Sequence, residues 1–181
     1  MQSDVDILAS ARLFEALPRP AVERLAERSQ HRHFGAGERV FDEGDPGAAL
    51  YVVAEGEIRI DIASPAGEHV TLVFLGPGEA FGELALLDDA PRSAEAVATE
   101  ASTLLSLYRK DFYSILEDEP EAVRALLGTL AGYVRNTNQR LADAAFLDVP
   151  GRMAKALKTL ADRYGKQTPD GILLDHELTP S

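Results

Sequence analysis

The chain has 181 residues, 45% of them hydrophobic, a formal net charge of −12 and no cysteine. That length and apolar content suffice for a real core, and the lack of cysteine excludes a disulfide framework and a thiolate-held iron–sulfur cluster. The acidity argues against a surface that grips nucleic-acid phosphates, and with no apolar run near ~18 residues and no basic-then-apolar start, no membrane is expected and the cytoplasm is the expected location.

Val5, Leu8, Ala9, Leu13, Phe14 and Leu17 recur at helical spacing before Pro18, and a second short helix is predicted over 21–29. From 30 to 108 the pattern changes to short runs at 39–41, 49–54, 57–63, 69–74, 95–98 and 103–107. Glu55-Gly56 and Ala66-Gly67 sit between runs where hairpins need positive φ, and Gly44-Asp-Pro-Gly47 and Gly76-Pro-Gly78 mark further turns. This predicts an antiparallel β-roll of the jelly-roll kind within an α+β fold. His31-Arg-His33 followed by Glu38 has the H-x-H-x₄-E spacing of cupin-like metal enzymes. Neither His69 nor His176 completes a ligand set, and no nucleophile, base and orienting group occur together, so no metal and no catalysis are expected.

Residues 81–94 interrupt the strands with Phe-Gly-Glu-Leu-Ala-Leu-Leu-Asp-Asp-Ala-Pro-Arg-Ser-Ala. Gly82 removes a side chain where a ligand must approach the backbone, and 84–87 make a short helix whose free N–H groups suit an anion. Glu83 supplies an acceptor for a ribose hydroxyl and Arg92 a fork for two phosphate oxygens, which fits a nucleotide whose sugar and phosphate lie close together.

A short helix is predicted over 110–118, and Pro120 opens a long one to about residue 145. Its apolar stripe, Val123, Leu127, Leu130, Val134, Thr137, Leu141 and Ala144, repeats at alternating steps of four and three, the seam of a left-handed coiled coil. A homodimer through residues about 123–144 is the expectation. Further on, Asp148 and Pro150 start another helix with Val149, Met153, Leu157, Leu160 and Tyr164 on one face, and Gly165 ends it. Residues 152–166 carry five cations and one acid, a local +4 that leaves −16 elsewhere. A turn at 169–171, a short strand at 172–174 and the helix start Thr179-Pro180 follow.

Gly-Glu-Leu followed by Arg-Ser-Ala resembles the phosphate-binding cassette of cyclic-nucleotide-binding domains, those of the Crp/Fnr regulators in particular. The resemblance implies that Gly82 and the Glu83 and Leu84 backbone meet phosphate and ribose, that Glu83 binds the 2′-hydroxyl, and that Arg92 with Ser93 binds the cyclic phosphate. Phe146-Leu-Asp-Val-Pro-Gly-Arg152 resembles the hinge between the nucleotide and DNA-binding domains of that family. Counted back from it, Thr137 falls where the family hydrogen-bonds the base. Asn138 falls where a Ser contacts nucleotide in the other subunit, and because Asn both donates and accepts it serves adenine or guanine. An Arg usual upstream of Thr137 is replaced by Tyr133.

The resemblance implies a cyclic-nucleotide-binding domain with its dimerisation helix over 1–147, and the start of a winged helix-turn-helix domain over 148–181 that lacks the recognition helix. The function expected is that of a dimeric regulator sensing a cyclic nucleotide, cyclic AMP foremost, with DNA as partner only where the helix-turn-helix is present. A nucleotide-binding module of another effector, such as a kinase or channel, is the alternative.

Overall fold

The computed structural model describes residues 3–63, 69–168 and 171–174. Two units divide the chain, residues 1–130 and 131–181. The first opens with α1 (Asp4–Ser10) and α2 (Arg19–Arg28). Ser3 caps α1 by accepting from the Asp6 N–H at 3.2 Å. The helix ends earlier than the apolar spacing predicts, because the Ser10 hydroxyl donates to the Ile7 carbonyl and the Ala11 N–H to that of Leu8. Leu13 and Phe14 are carried by the turn that follows and are buried all the same.

Among the described residues eight strands make the roll: β1 (Gln30–Phe34), β2 (Arg39–Phe41), β3 (Ala49–Glu55), β4 (Ile58–Ala63), β5 (His69–Leu75), β6 (Ala80–Phe81), β7 (Glu95–Ala98) and β8 (Ser102–Tyr108). They form two four-stranded antiparallel sheets, ordered β1-β8-β3-β6 and β2-β7-β4-β5. Phe34, Val53, Phe81 and Leu104 from one sheet and Ile58, Leu75, Ala96 and Ala98 from the other share one core cluster. Their burial removes apolar surface from water at roughly 25 cal/mol per Å². The helix α3 (Glu83–Asp88) is inserted between β6 and β7, and α4 (Arg109–Asp118) follows β8. A further group of buried side chains, Leu8, Phe14, Leu25, Phe112 and Ile115, lies among α1, α2, α4 and their connections, with the Phe14 and Phe112 rings 6.3 Å apart.

Strands β1 and β6 are not among the predicted runs. Four of the five side chains of β1 are exposed, and the strand is held by its backbone, in register from Gln30 opposite Ser106 to Phe34 opposite Ser102. The long helix α5 (Pro120–Phe146) begins in the first unit, where Ala122 and Leu126 are buried. Val123, Leu127, Val134, Thr137 and Leu141 of the expected seam are exposed, and Leu130 is half-buried.

In the second unit α5 is followed by α6 (Val149–Tyr164) and a hairpin of β9 (Gly165–Thr168) and β10 (Gly171–Leu174). Asp148 caps α6 by accepting from the Gly151 N–H at 2.9 Å. Gly165 not only ends the helix but opens β9, a strand absent from the predicted set. Ala66-Gly67, Pro169, Asp170, His176 and Thr179-Pro180 lie outside the described residues.

Candidate functional site

Gly82 sets the geometry of the insert. Its φ of 76° is the left-handed turn that joins β6 to α3, a conformation a side chain rarely adopts. The turn brings Gly82, Glu83 and Leu84 to the wall of a cavity of about 260 Å³. Phe41, Ile60, Leu72, Val73 and Leu75 supply much of its apolar wall, and Arg92 and Ser93 complete the polar side.

Arg92 is the buried cation of this site, 5% exposed. Its Nη1 donates to the Gly82 carbonyl and its Nη2 to the Ala49 carbonyl, both at 2.6 Å. Beneath the guanidinium lies the Phe41 ring, its centroid 4.1 Å from Cζ, a cation–π arrangement that partly offsets lost hydration. The Phe41, Tyr51 and Phe81 rings pack on one another with centroids 5.4 to 6.0 Å apart, Tyr51 and Phe81 stacked and Phe41 tilted against both, which fixes that platform. The Arg92 backbone is pinned too, its N–H donating to the Asp45 carbonyl and its carbonyl accepting from the Gly44 N–H. What is left over is Nε, which is buried and has no hydrogen-bond partner. Burial pulls the guanidinium below its usual pKa, against the opposing influence of Tyr51, Asp45 and Glu83. An orphaned N–H on a buried cation facing a cavity is a place for an anion's oxygen.

Glu83 is half-buried on the same wall, and its carboxyl is pushed above the usual range by burial, a shift opposed by its own backbone N–H and by Arg92. Leu84 is 51% exposed although apolar, and Ser93 is exposed. Thus Gly82, Glu83, Leu84, Arg92 and Ser93 surround one cavity. Thr137 and Asn138 lie on α5 in the second unit, and both are exposed.

Two residues that no sequence signal singled out also hold the insert. Arg109 Nη2 donates to the Gly47 carbonyl at 2.8 Å and to that of Ala85 at 2.7 Å, while its Nη1 pairs with the Asp89 carboxylate. The Tyr113 hydroxyl donates to the Leu87 carbonyl at 3.1 Å. An arginine at a helix start reads as solvated, so only the fold identifies this grip.

The residues with cupin-like spacing have other partners. His31 meets the Asp4 carboxylate at 2.9 Å, His33 meets the Thr103 hydroxyl at 3.1 Å, and Glu38 accepts from the Gly35 N–H at 2.8 Å. Among the described residues no group of three or more His, Asp or Glu is placed to hold a metal ion, and no helix is long and apolar enough to cross a membrane.

A family model for the cyclic nucleotide-binding domain matches residues 31–119. Over 174 residues, 96% of this chain and 78% of the relative, the chain is 38% identical to the CRP-like cAMP-activated global transcriptional regulator of Mycobacterium tuberculosis. The crystal structure of the Thermus thermophilus catabolite activator protein matches with a TM-score of 0.68 at 37% identity, covering 84% of this chain and 71% of that one. The regulatory domain of Toxoplasma gondii PKA, co-crystallised with cAMP, matches with a TM-score of 0.60 at 34% identity, covering 64% of this chain and 44% of that one. By its roll, its inserted cassette and this identity over most of its length, the chain belongs to the Crp/Fnr family of transcription regulators and carries that family's cyclic nucleotide-binding domain.

Proposed function

We propose that the chain is the ligand-sensing and dimerising part of a non-enzymatic, cytoplasmic transcription regulator, and that its effector is cyclic AMP. The observation that carries this reading is the buried Arg92, whose Nε has no hydrogen-bond partner, among the residues that line the cavity with Gly82, Glu83 and Ser93. Arg92 and Ser93 hold the cyclic phosphate, with the Glu83 and Leu84 backbone beside it, and Glu83 accepts from the ribose 2′-hydroxyl. Thr137 hydrogen-bonds the base, and Asn138 meets nucleotide bound in the other subunit of a dimer that pairs through residues about 123–144. The exposure of Val123, Leu127, Val134 and Leu141 supports that pairing, because an apolar stripe of this length is costly in water. Residues 1–147 form the nucleotide-binding and dimerisation part, and 148–181 begin the DNA-binding domain.

Binding regulates only if the two pairings of the seam helices differ in nucleotide affinity. The alternative, a module of another effector, has the Toxoplasma gondii PKA likeness in its favour, but that likeness covers 64% of this chain against 96% for the Mycobacterium tuberculosis regulator. Calorimetry with cyclic AMP, cyclic GMP and linear AMP tests the effector. Saturable binding of cyclic AMP in preference to the others is expected, and a preference for linear AMP or no binding at all overturns the proposal.

A further inference from the structure

Arg92 and Arg109 form two rungs between the same pair of backbone segments. One segment is the start of β3 and the residues just before it, Gly47 to Ala49, and the other is Gly82 with α3. Arg92 joins the Ala49 and Gly82 carbonyls, and Arg109 joins the Gly47 and Ala85 carbonyls. Between them the Arg109 backbone N–H donates to the Ala48 carbonyl at 3.0 Å, so three consecutive carbonyls are taken up by the two arginines. The segments also touch directly, since a Cβ on Gly47 would stand 2.3 Å from that of Ala85. Arg109 further pairs with Asp89, which closes α3 at a φ of 59°, unusual for a residue with a side chain.

The rungs differ in what else they do. Arg92 lines the cavity and has a free Nε, so its guanidinium is shared between the scaffold and whatever anion enters. Arg109 makes its contacts without lining that cavity. A phosphate that draws Arg92 toward itself weakens the first rung, and the second then holds α3.

We propose that Arg109 is a positioning residue for nucleotide binding: it holds α3, and with it Gly82 and Glu83, against β3 while Arg92 turns to the phosphate. This rests on the cyclic-nucleotide reading of the cavity.

The test combines Arg109→Gln, Arg109→Lys, Arg92→Ala and the double variant Arg92→Ala/Arg109→Gln in the whole chain, with cyclic AMP as the probe. Arg109→Gln is expected to bind cyclic AMP about tenfold to a hundredfold more weakly, the loss of charge-assisted hydrogen bonds, through faster dissociation. Its ligand-free melting temperature should fall little, because the Arg92 rung remains. Arg109→Lys, which keeps the charge and a donor, should recover part of the affinity. The ligand-free double variant should melt lower than the two single shifts added together predict, since α3 then has neither rung. Unchanged affinity in Arg109→Gln, or additive melting shifts, overturns the proposal. If the parent chain binds no cyclic nucleotide, the effector reading fails by itself, and the additivity of the ligand-free variants still decides whether the two rungs share their load.

Discussion

The Gly82 carbonyl accepts from Arg92 Nη1 at 2.6 Å, and a Cβ added to Gly82 would stand 2.6 Å from that same nitrogen. Backbone and cation are therefore fitted to each other without room for a side chain. Swinging Arg92 aside to make room would break its Nη2 bond to Ala49 and its contact with the Phe41 ring. Gly82→Ala is expected to destabilise the protein by about 1 to 3 kcal/mol, from the left-handed φ and the displaced guanidinium, and to weaken cyclic AMP binding. Urea unfolding and calorimetry measure the two losses. A variant with parental stability and affinity would mean that the fit is slack.

Arg92→Ala removes the cation under the proposed phosphate. At a cyclic AMP concentration ~100 times the dissociation constant, the parent should gain ~2.7 kcal/mol and melt roughly 5 to 10 °C higher. The variant should lose most of that shift, and a thermal-shift titration of both proteins is the check.

Glu83 should make binding depend on pH. Burial holds its carboxyl above the ordinary range, so in the folded, ligand-free protein the ionised form is disfavoured. The sign follows. An acid whose folded pKa is raised weakens the folded state as pH climbs from its unfolded pKa through its folded one, and below both values it contributes nothing. Glu83→Gln should therefore raise the ligand-free melting temperature at neutral pH and leave it unchanged in strong acid. The same change should weaken cyclic AMP binding at neutral pH, where the carboxylate is proposed to accept from the ribose, and flatten the loss of affinity expected of the parent as pH falls through the raised pKa. Melting curves and calorimetry across pH 4 to 8 read out both effects, and an affinity lost without any change in its pH profile would remove Glu83 from the ribose contact.

Asp61 is a buried carboxylate, 2% exposed, on β4. It accepts from the Thr71 hydroxyl at 2.8 Å and from Arg59 Nε at 2.7 Å. Burial works to raise its pKa, but those two hydrogen bonds and the Arg59 charge outweigh it and hold the carboxyl below the usual aspartate range. Its stabilisation is thus present above the unfolded pKa and lost as pH falls through the depressed folded value. Asp61→Ala should cost about 1 to 3 kcal/mol at neutral pH by leaving Thr71 and Arg59 without their acceptor, and the gap to the parent should close in acid. Urea titrations at neutral and acidic pH compare the two proteins.

Placing Glu at both Leu130 and Val134 would set like charges across the proposed seam of two α5 helices. The double variant is expected to be monomeric in light scattering at concentrations where the parent is expected to be a dimer. Thr137→Ala should remain dimeric and discriminate less well between cyclic AMP and cyclic GMP.

The sequence alone determined the order of the parts: helices, a roll of short strands, one inserted cassette, then a long helix with a regular apolar stripe. These are local properties, carried by period, turn glycines and helix caps, so the strands with alternating side chains and the helix from Pro120 were legible. The polar set Gly82, Glu83, Arg92 and Ser93 was legible for the same reason, because it lies within twelve consecutive residues. Strand β1 was not, since Gln-His-Arg-His-Phe has no apolar alternation and becomes a strand through backbone pairing with β8. Only the tertiary structure decided what surrounds the charge. Phe41, Leu72 and Val73 come to the cavity from remote strands, and Arg109 reaches back over sixty residues to the Gly47 carbonyl. No local pattern encodes such contacts, because they exist only once two sheets have closed on a common core and left particular carbonyls and the Arg92 Nε away from water.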